Sequence, residues 1–490
     1  MQKHPKQPAQ PKPNSPRANG ALNRSKKSRP RANAKTSDRS PAPGAAAASA
    51  LGQDFLSLVR ERISESELAS LDQRKHAAGR PATRLRRSQL LVALIFHCTV
   101  SYAGSFGRHL LLCLGIQMAE STLSERRQAL PFAVFQELLA RLLGPVANAD
   151  RAASFKGLRL VALDGVGFSL PNTPQVQARC QKGGNQKGRV AFAKLQGAAL
   201  VELAWHNPLA AALGWEGQSE WKLAGELLDR LPAHCLLLAD RLYGCGAFIT
   251  AAIDRLAPQA GHFLFRVKES LKAVRRGRRF QDGSREVEIH ALDPKNHHRV
   301  TRTLRVREIR ATLQRPGFRA VKIRLWTSLS CAQGSARELV ALYSRRWEQE
   351  LYFRELKQQL GTNDLLRSQT PETAAQEVAA MIIGSSLVAH ERAKLKPGEA
   401  LPQRVSFLKT WELLEPLWLT LLLGADLLSA EQKQALGERF YHFAATAIMQ
   451  KKRARSCPRV MRQPAQPWPR KRDQKSHEGT IQITVNPDPA

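Results

Sequence analysis

The chain has 490 residues, room for about three domains at roughly 150 residues each. Lys and Arg number 76 against 41 Asp and Glu, a net charge of +35 with a pI near 10.7. Such a cationic excess repels itself in a compact chain unless a polyanion is the working partner, which sets aside an ordinary metabolic enzyme and puts nucleic acid first.

The longest apolar stretches, 90–96 and 416–425, fall short of the ~18 residues a membrane span needs. Seven scattered cysteines without a CxxC pair point to a reducing compartment, read as cytoplasmic and nucleoid-associated, and away from a zinc module.

In chain order, residues 1–50 hold eleven Lys/Arg, one acid and eight Pro, and read as a basic disordered arm. From 51 to 150 apolar residues recur at helical spacing, predicting an α-helical DNA-binding domain. Within it Thr122 and Glu125 read as a capping box and Pro131 as a stop, so a short helix exposes Arg126 and Arg127 as candidate DNA contacts. Upstream, six Lys/Arg and no acid between 74 and 87 surround Gly79-Arg80-Pro81, a weak minor-groove signal.

Residues 155–270 alternate short apolar strands with helices, the pattern of an α/β sheet domain. Residues 271–330 break the alternation with charged strand-like runs and read as a β-rich insertion with Arg and Lys on one face. A long helix from Ser335 to about residue 360 fills 331–362, helices follow over 363–450, and 451–490 reads as a second basic disordered tail.

Two strands end on an acid, Asp164 and Asp240. A carboxylate there is costly to ionise unless a cation compensates it, and hard divalent metals suit oxygen ligands; the plainer alternative is an Asp that opens a turn. On the long helix Tyr343, Arg346, Glu350 and Lys357 fall within about 60° of one another, a narrow stripe with one carboxylate, two cations and a phenol. Two strand-end Asp residues and a helical Glu are what two-metal phosphoryl transfer needs.

The spacing Tyr343-x2-Arg346-x3-Glu350-x6-Lys357 resembles the Y-(2)-R-(3)-E-(6)-K signature of bacterial insertion-sequence transposases of the IS-four type, within the DDE transposase class. Leu163-Asp-Gly165, Leu170-Pro-Asn-Thr-Pro174, Leu237-Leu-Ala-Asp-Arg241 and Phe265-Arg-Val-Lys268 are similar to that family too. The resemblance implies an RNase H-like catalytic core over 155–362, interrupted by the β insertion. It also implies that Asp164, Asp240 and Glu350 are catalytic and bind two Mg2+ ions, with Mn2+ able to substitute. Tyr343, Arg346 and Lys357 would contact phosphates. In members that cut through a DNA hairpin a Trp meets a flipped base, and Trp326 is the candidate, though a strand-packing Trp fits it equally. No ligand is expected at Asn172-Thr-Pro174, where family members often carry an Asp.

The expected function is a transposase that binds terminal inverted repeats, cleaves the ends and joins them to target double-stranded DNA, as a homodimer assembled on the ends. The alternatives are a non-catalytic DNA-binding protein derived from a transposase and an RNase H-like nuclease without strand transfer. Gly183 to Gly188 lacks the Lys-Ser/Thr of a phosphate loop, and His297-His298 has no further metal ligand at a suitable spacing.

Overall fold

The computed structural model describes residues 53–449 and 481–485, apart from 65, 68–69, 71–84, 101–103, 147–153, 186–187, 190, 294, 297, 315–319, 360–364 and 396–403. The arm 1–50, most of the tail, Gly79-Arg80-Pro81 and His297 lie outside the described residues.

Helices come first among the described residues, including α1 Phe55–Arg60, α2 Arg87–Thr99, α3 Phe106–Leu114, α4 Glu120–Gln128 and α5 Phe132–Leu142. Side-chain oxygens of Asp54 and Ser105 cap α1 and α3, satisfying backbone N–H groups left free in the first turn. Gly115, at φ 68°, ends α3 in the left-handed conformation that glycine adopts without cost. The capping box expected at Thr122 and Glu125 does not form: α4 starts three residues earlier, with Ala119 as its N-cap, and the Glu120 carboxylate accepts from the Gly107 amide at 2.8 Å instead.

Eleven strands of the described residues make one sheet. Its first part holds β1 Leu158–Ser169, β2 Lys194–Glu202, β3 Asn207–Gly214, β4 Cys235–Ala239 and β5 His262–Arg266, in the order β3-β2-β1-β4-β5. β1, β2 and β3 run antiparallel in succession, whereas β4 lies parallel to β1 and β5 parallel to β4. All five residues of β4 are buried, as expected of a parallel strand covered on both faces. A short α6, Pro174–Arg179, follows β1; α7 Glu220–Glu226 and α8 Gly246–Leu256 flank β4 in sequence and cover one face. α9, Ala336–Tyr343, covers the other.

The segment expected as a β insertion holds β6 Arg275–Arg279, β7 Arg285–Leu292, β8 Val300–Gln314 and β9 Val321–Thr327. These strands extend the sheet through β9 on β5, in the order β5-β9-β8-β7-β6, instead of standing apart. The expectation of disorder across 451–490 fails at its end: β10, Gln482–Val485, pairs with β8 from Ala311 to Gln314. Its alternating Ile483 and Val485 pack on the core, a period-two signal that the charge of the surrounding tail hides.

After α10, Trp347–Gln359, come α11 Pro371–Ala393, α12 Phe407–Leu423 and α13 Ala430–Thr446. α11 is buried on nearly every side, polar residues such as Gln376, Glu377 and Arg392 included, and it lies between the sheet and α2 and α5. Gly384 allows the close approach to α2, since a Cβ there would meet Thr99 Oγ1 at 2.1 Å. The segments 51–150 and 363–450 therefore share one core, in which Phe55 touches both Phe96 and Trp418.

Candidate active site

β1 and β4 pair in register up to Leu163 opposite Ala239, so Asp164 and Asp240 stand side by side one residue beyond that pair; Asp240 follows the end of β4 as expected, whereas Asp164 lies within β1, which runs on to Ser169 through its pairing with β2. Both are in phase with Leu160, Ala162, Leu236 and Leu238, whose side chains line the face covered by α9. Asp240 Oδ1 accepts from the Leu242 amide at 2.6 Å, so this residue also shapes the turn after its strand. Asp164 is largely buried, and burial together with the charges of Asp240 and Glu220 pushes its carboxyl up to about 6 against the opposing pull of Arg346.

The expected single helix from 335 is two helices, α9 and α10, joined by a 3-10 turn at Ser344–Arg346. Over three residues the tighter winding changes the angular offsets by about 60°, yet the four stripe positions stay on one side. Tyr343 is buried, donates to the Ala239 carbonyl at 3.2 Å, and has its phenol pushed up by that burial. Arg346 lies between two acids, its guanidinium 2.8 Å from Asp164 Oδ2 and 2.6 Å from Glu350 Oε1. Lys357 donates to the Gly167 carbonyl at 2.8 Å, over the ring of Phe168. The structure thus brings Asp164, Asp240, Tyr343, Arg346, Glu350 and Lys357 around the C-terminal end of β4 and the adjoining stretch of β1.

Residues 156–387 match the family described as Transposase DDE domain, which spans β1 to most of α11 and includes all six of these side chains. This segment is similar to the transposase DDE domain family. The chain is also 27% identical over 286 residues to Transposase InsG for insertion sequence element IS4 of Escherichia coli (strain K12), a stretch covering 57% of this chain and 62% of that relative. The family resemblance seen in the sequence is borne out at that level. A solved structure, the piggyBac transposase synaptic complex with hairpin DNA, matches with a TM-score of 0.40 at 10% identity, over 82% of this chain and 87% of that one.

The transposase DDE domain implies use of a divalent metal. Its acids offer only oxygen donors, as a hard divalent cation requires. Among the described residues no three of His, Cys, Asp and Glu stand close enough to share one ion; the guanidinium of Arg346 fills the space between Asp164 and Glu350. The donor set fits the metal, with a built-in cation standing where part of the compensating charge is needed.

Three neighbours of these residues escape sequence reasoning. Glu220, in the first turn of α7, lies over Gly165 so closely that a Cβ there would come within 2.0 Å of its Cδ, and it accepts from the Tyr243 hydroxyl at 2.7 Å. A Glu at a helix start carries no special signal, whereas Gly165 after Asp164 marks the space it fills. His206, in the turn between β2 and β3, meets Glu348 and Glu355 of α10. Trp347 is 62% exposed and adjoins Arg346, whose guanidinium lies 6.0 Å from its ring.

Other expected contacts lie elsewhere. Trp326 is 2% exposed on β9 and donates its indole N–H to Glu308 at 2.9 Å, with Arg324 over its ring. Its packing and hydrogen bond leave no open ring face for a base, which corrects the DNA-stacking assignment. Arg126 and Arg127 are half-buried instead of projecting from a free helix face. Arg126 donates to the Leu85 carbonyl, and Arg127 to Ser368 and the Thr373 carbonyl, which ties α4 to the start of α11.

Proposed function

We propose that this chain is a DNA transposase that binds terminal inverted repeats as a homodimer, cleaves the ends and joins them to target DNA. The reading rests on one juxtaposition: within a matched DDE domain, Asp164 and Asp240 stand at neighbouring strand positions facing a helix that carries Glu350. The strand order β3-β2-β1-β4-β5, three antiparallel strands followed by two parallel ones, supports an RNase H-like core with β6 to β9 as its insertion.

Asp164, Asp240 and Glu350 would hold Mg2+, with Mn2+ as a substitute. Two bound ions would supply Lewis acidity to the attacking and departing oxygens of the phosphodiester. The chain's own residues do the rest. Arg346 holds Asp164 and Glu350 together and offers its guanidinium as a partner for a phosphate. Tyr343 and Lys357, at the two ends of the stripe, tie α9 to β4 and α10 to β1 through the Ala239 and Gly167 carbonyls. The exposed ring of Trp347, beside Arg346, takes the stacking role that the buried Trp326 cannot fill. Strand β6, Arg-Arg-Gly-Arg-Arg with every residue exposed, supplies charge for the backbone of the duplex.

The test incubates the protein and Mg2+ with DNA carrying the ends of its own element and a supercoiled target. Transposon ends covalently joined to target are expected. Cut but unjoined ends would instead support a nuclease, and retention without cutting a non-catalytic DNA-binding protein.

A further inference from the structure

His206 occupies the turn between β2 and β3 with a left-handed backbone, φ 54°, and is 4% exposed. Its Nδ1 lies 2.5 Å from Glu355 Oε2 and its Nε2 3.1 Å from Glu348 Oε2. A carboxylate only accepts hydrogen bonds, and a neutral imidazole has one donor and one acceptor nitrogen. Two carboxylates at the two ring nitrogens therefore require a ring protonated at both. Glu348 and Glu355 are seven residues apart on α10 and share a face, while Glu350 projects about 200° away from Glu348, on the opposite side. The imidazolium grips the back of the helix that carries Glu350.

We propose that His206 is a positioning residue for Glu350, holding α10 against the sheet only while its ring is protonated, and that its deprotonation sets an alkaline limit on the ordered site. The consequence for cleavage rests on the transposase reading; the clamp itself does not.

The groups facing the ring are Glu348 and Glu355 from α10 and Arg392 from α11, with Arg345 beyond Glu348 and the Phe407 ring of α12 at 6.5 Å. Burial and Arg392 disfavour the proton, while the carboxylate of Glu355 and the hydrogen bonds to Glu348 and Glu355 favour it; the net direction is upward. A histidine raised on folding contributes stability that is fully present below its ordinary value near 6.5 and is lost as pH rises through the raised value. Other contacts hold the middle of α10 independently of pH, including Gln349 Nε2 on the Ala199 carbonyl and the Tyr352 hydroxyl against Ser385. Loss of the clamp should therefore loosen the helix without unfolding the sheet.

Hydrogen exchange of the full-length protein without metal, corrected for intrinsic pH dependence, tests the clamp. Protection over Trp347–Gln359 should fall at least about tenfold as pH rises through the His206 transition, while Cys235–Ala239 stays unchanged. His206→Gln should show the weak protection at every pH with no transition. Imidazole 15N shifts of wild type give a second reading that needs no variant: protons on both ring nitrogens at pH 7, lost at higher pH. A neutral ring at pH 7, or equal and pH-independent α10 protection in wild type and His206→Gln, overturns the proposal. Where cleavage is measurable, wild type should lose rate on the alkaline side and His206→Gln should start lower with that limb absent. Protection decides the proposal whether or not the chain cuts DNA, so failure of the transposase reading remains distinguishable.

Discussion

Arg346 shows how a residue with a family signature can serve two states. Its guanidinium is 12% exposed and divides itself between Asp164 and Glu350, the first largely buried and the second more open to solvent. Removing it would leave two acids facing each other with their cation gone, the arrangement in which a buried charge is most costly. It also clears the space a divalent ion would take. Arg346→Ala should therefore melt below wild type without metal, and saturating Mg2+ should raise its Tm by at least about 2 °C more than it raises that of wild type. Thermal denaturation with and without Mg2+ checks this; equal metal-induced shifts would show that Arg346 does not compete for the site. The same residue marks what sequence could not reveal. The Y-R-E-K spacing placed Arg346 beside Glu350, but its bridge to Asp164 joins positions 182 residues apart and depends on the register of β1 against α10.

At the scale of elements, β6 is the most directly testable surface. Its five residues are all exposed on the last strand of the ordered path, and an edge lined with Arg both resists pairing with another sheet and attracts a polyanion. Arg276 and Arg278 share a face of that strand. If both meet phosphates, the double alanine variant should flatten the slope of log affinity against log salt by about 1.8, without changing sequence preference. Binding isotherms across a salt series on duplexes of two unrelated sequences give the measurement. The strands of 271–330 were legible from alternation alone, but their continuation of the main sheet was not, because β9 joins β5 through backbone hydrogen bonds that leave no trace in composition. The helix after Ser335 was legible in its start, where Ser335 and Glu338 form a capping box, and misread as continuous because the 3-10 turn contains neither Gly nor Pro.

For the whole molecule, the +35 charge points to a polyanion, and the acids that follow buried apolar runs point to where it would be cut. Chain order obscured the way helices before and after the sheet join in one core around α11. Arg127 is the clearest instance: read as a DNA contact, it spends its guanidinium on Ser368 and Thr373 some 240 residues away. The two Asp positions were readable because a buried apolar run closing on a carboxylate is unusual, although β1 continues past Asp164, whereas Glu220 and His206 act through partners distant in sequence and left no local signal.

The central claim is that Asp164, Asp240 and Glu350 form one metal-dependent site that cuts DNA. The most direct measurement is single-turnover cleavage of a transposon-end duplex in Mg2+ by wild type and by Asp164→Asn, Asp240→Asn and Glu350→Gln, with DNA affinity measured alongside. Losing a group that merely orients a metal ligand typically costs up to about 100-fold, so each of the three should lose at least that much in rate while binding DNA nearly as well as wild type. Wild-type cleavage by any one of them would contradict the claim.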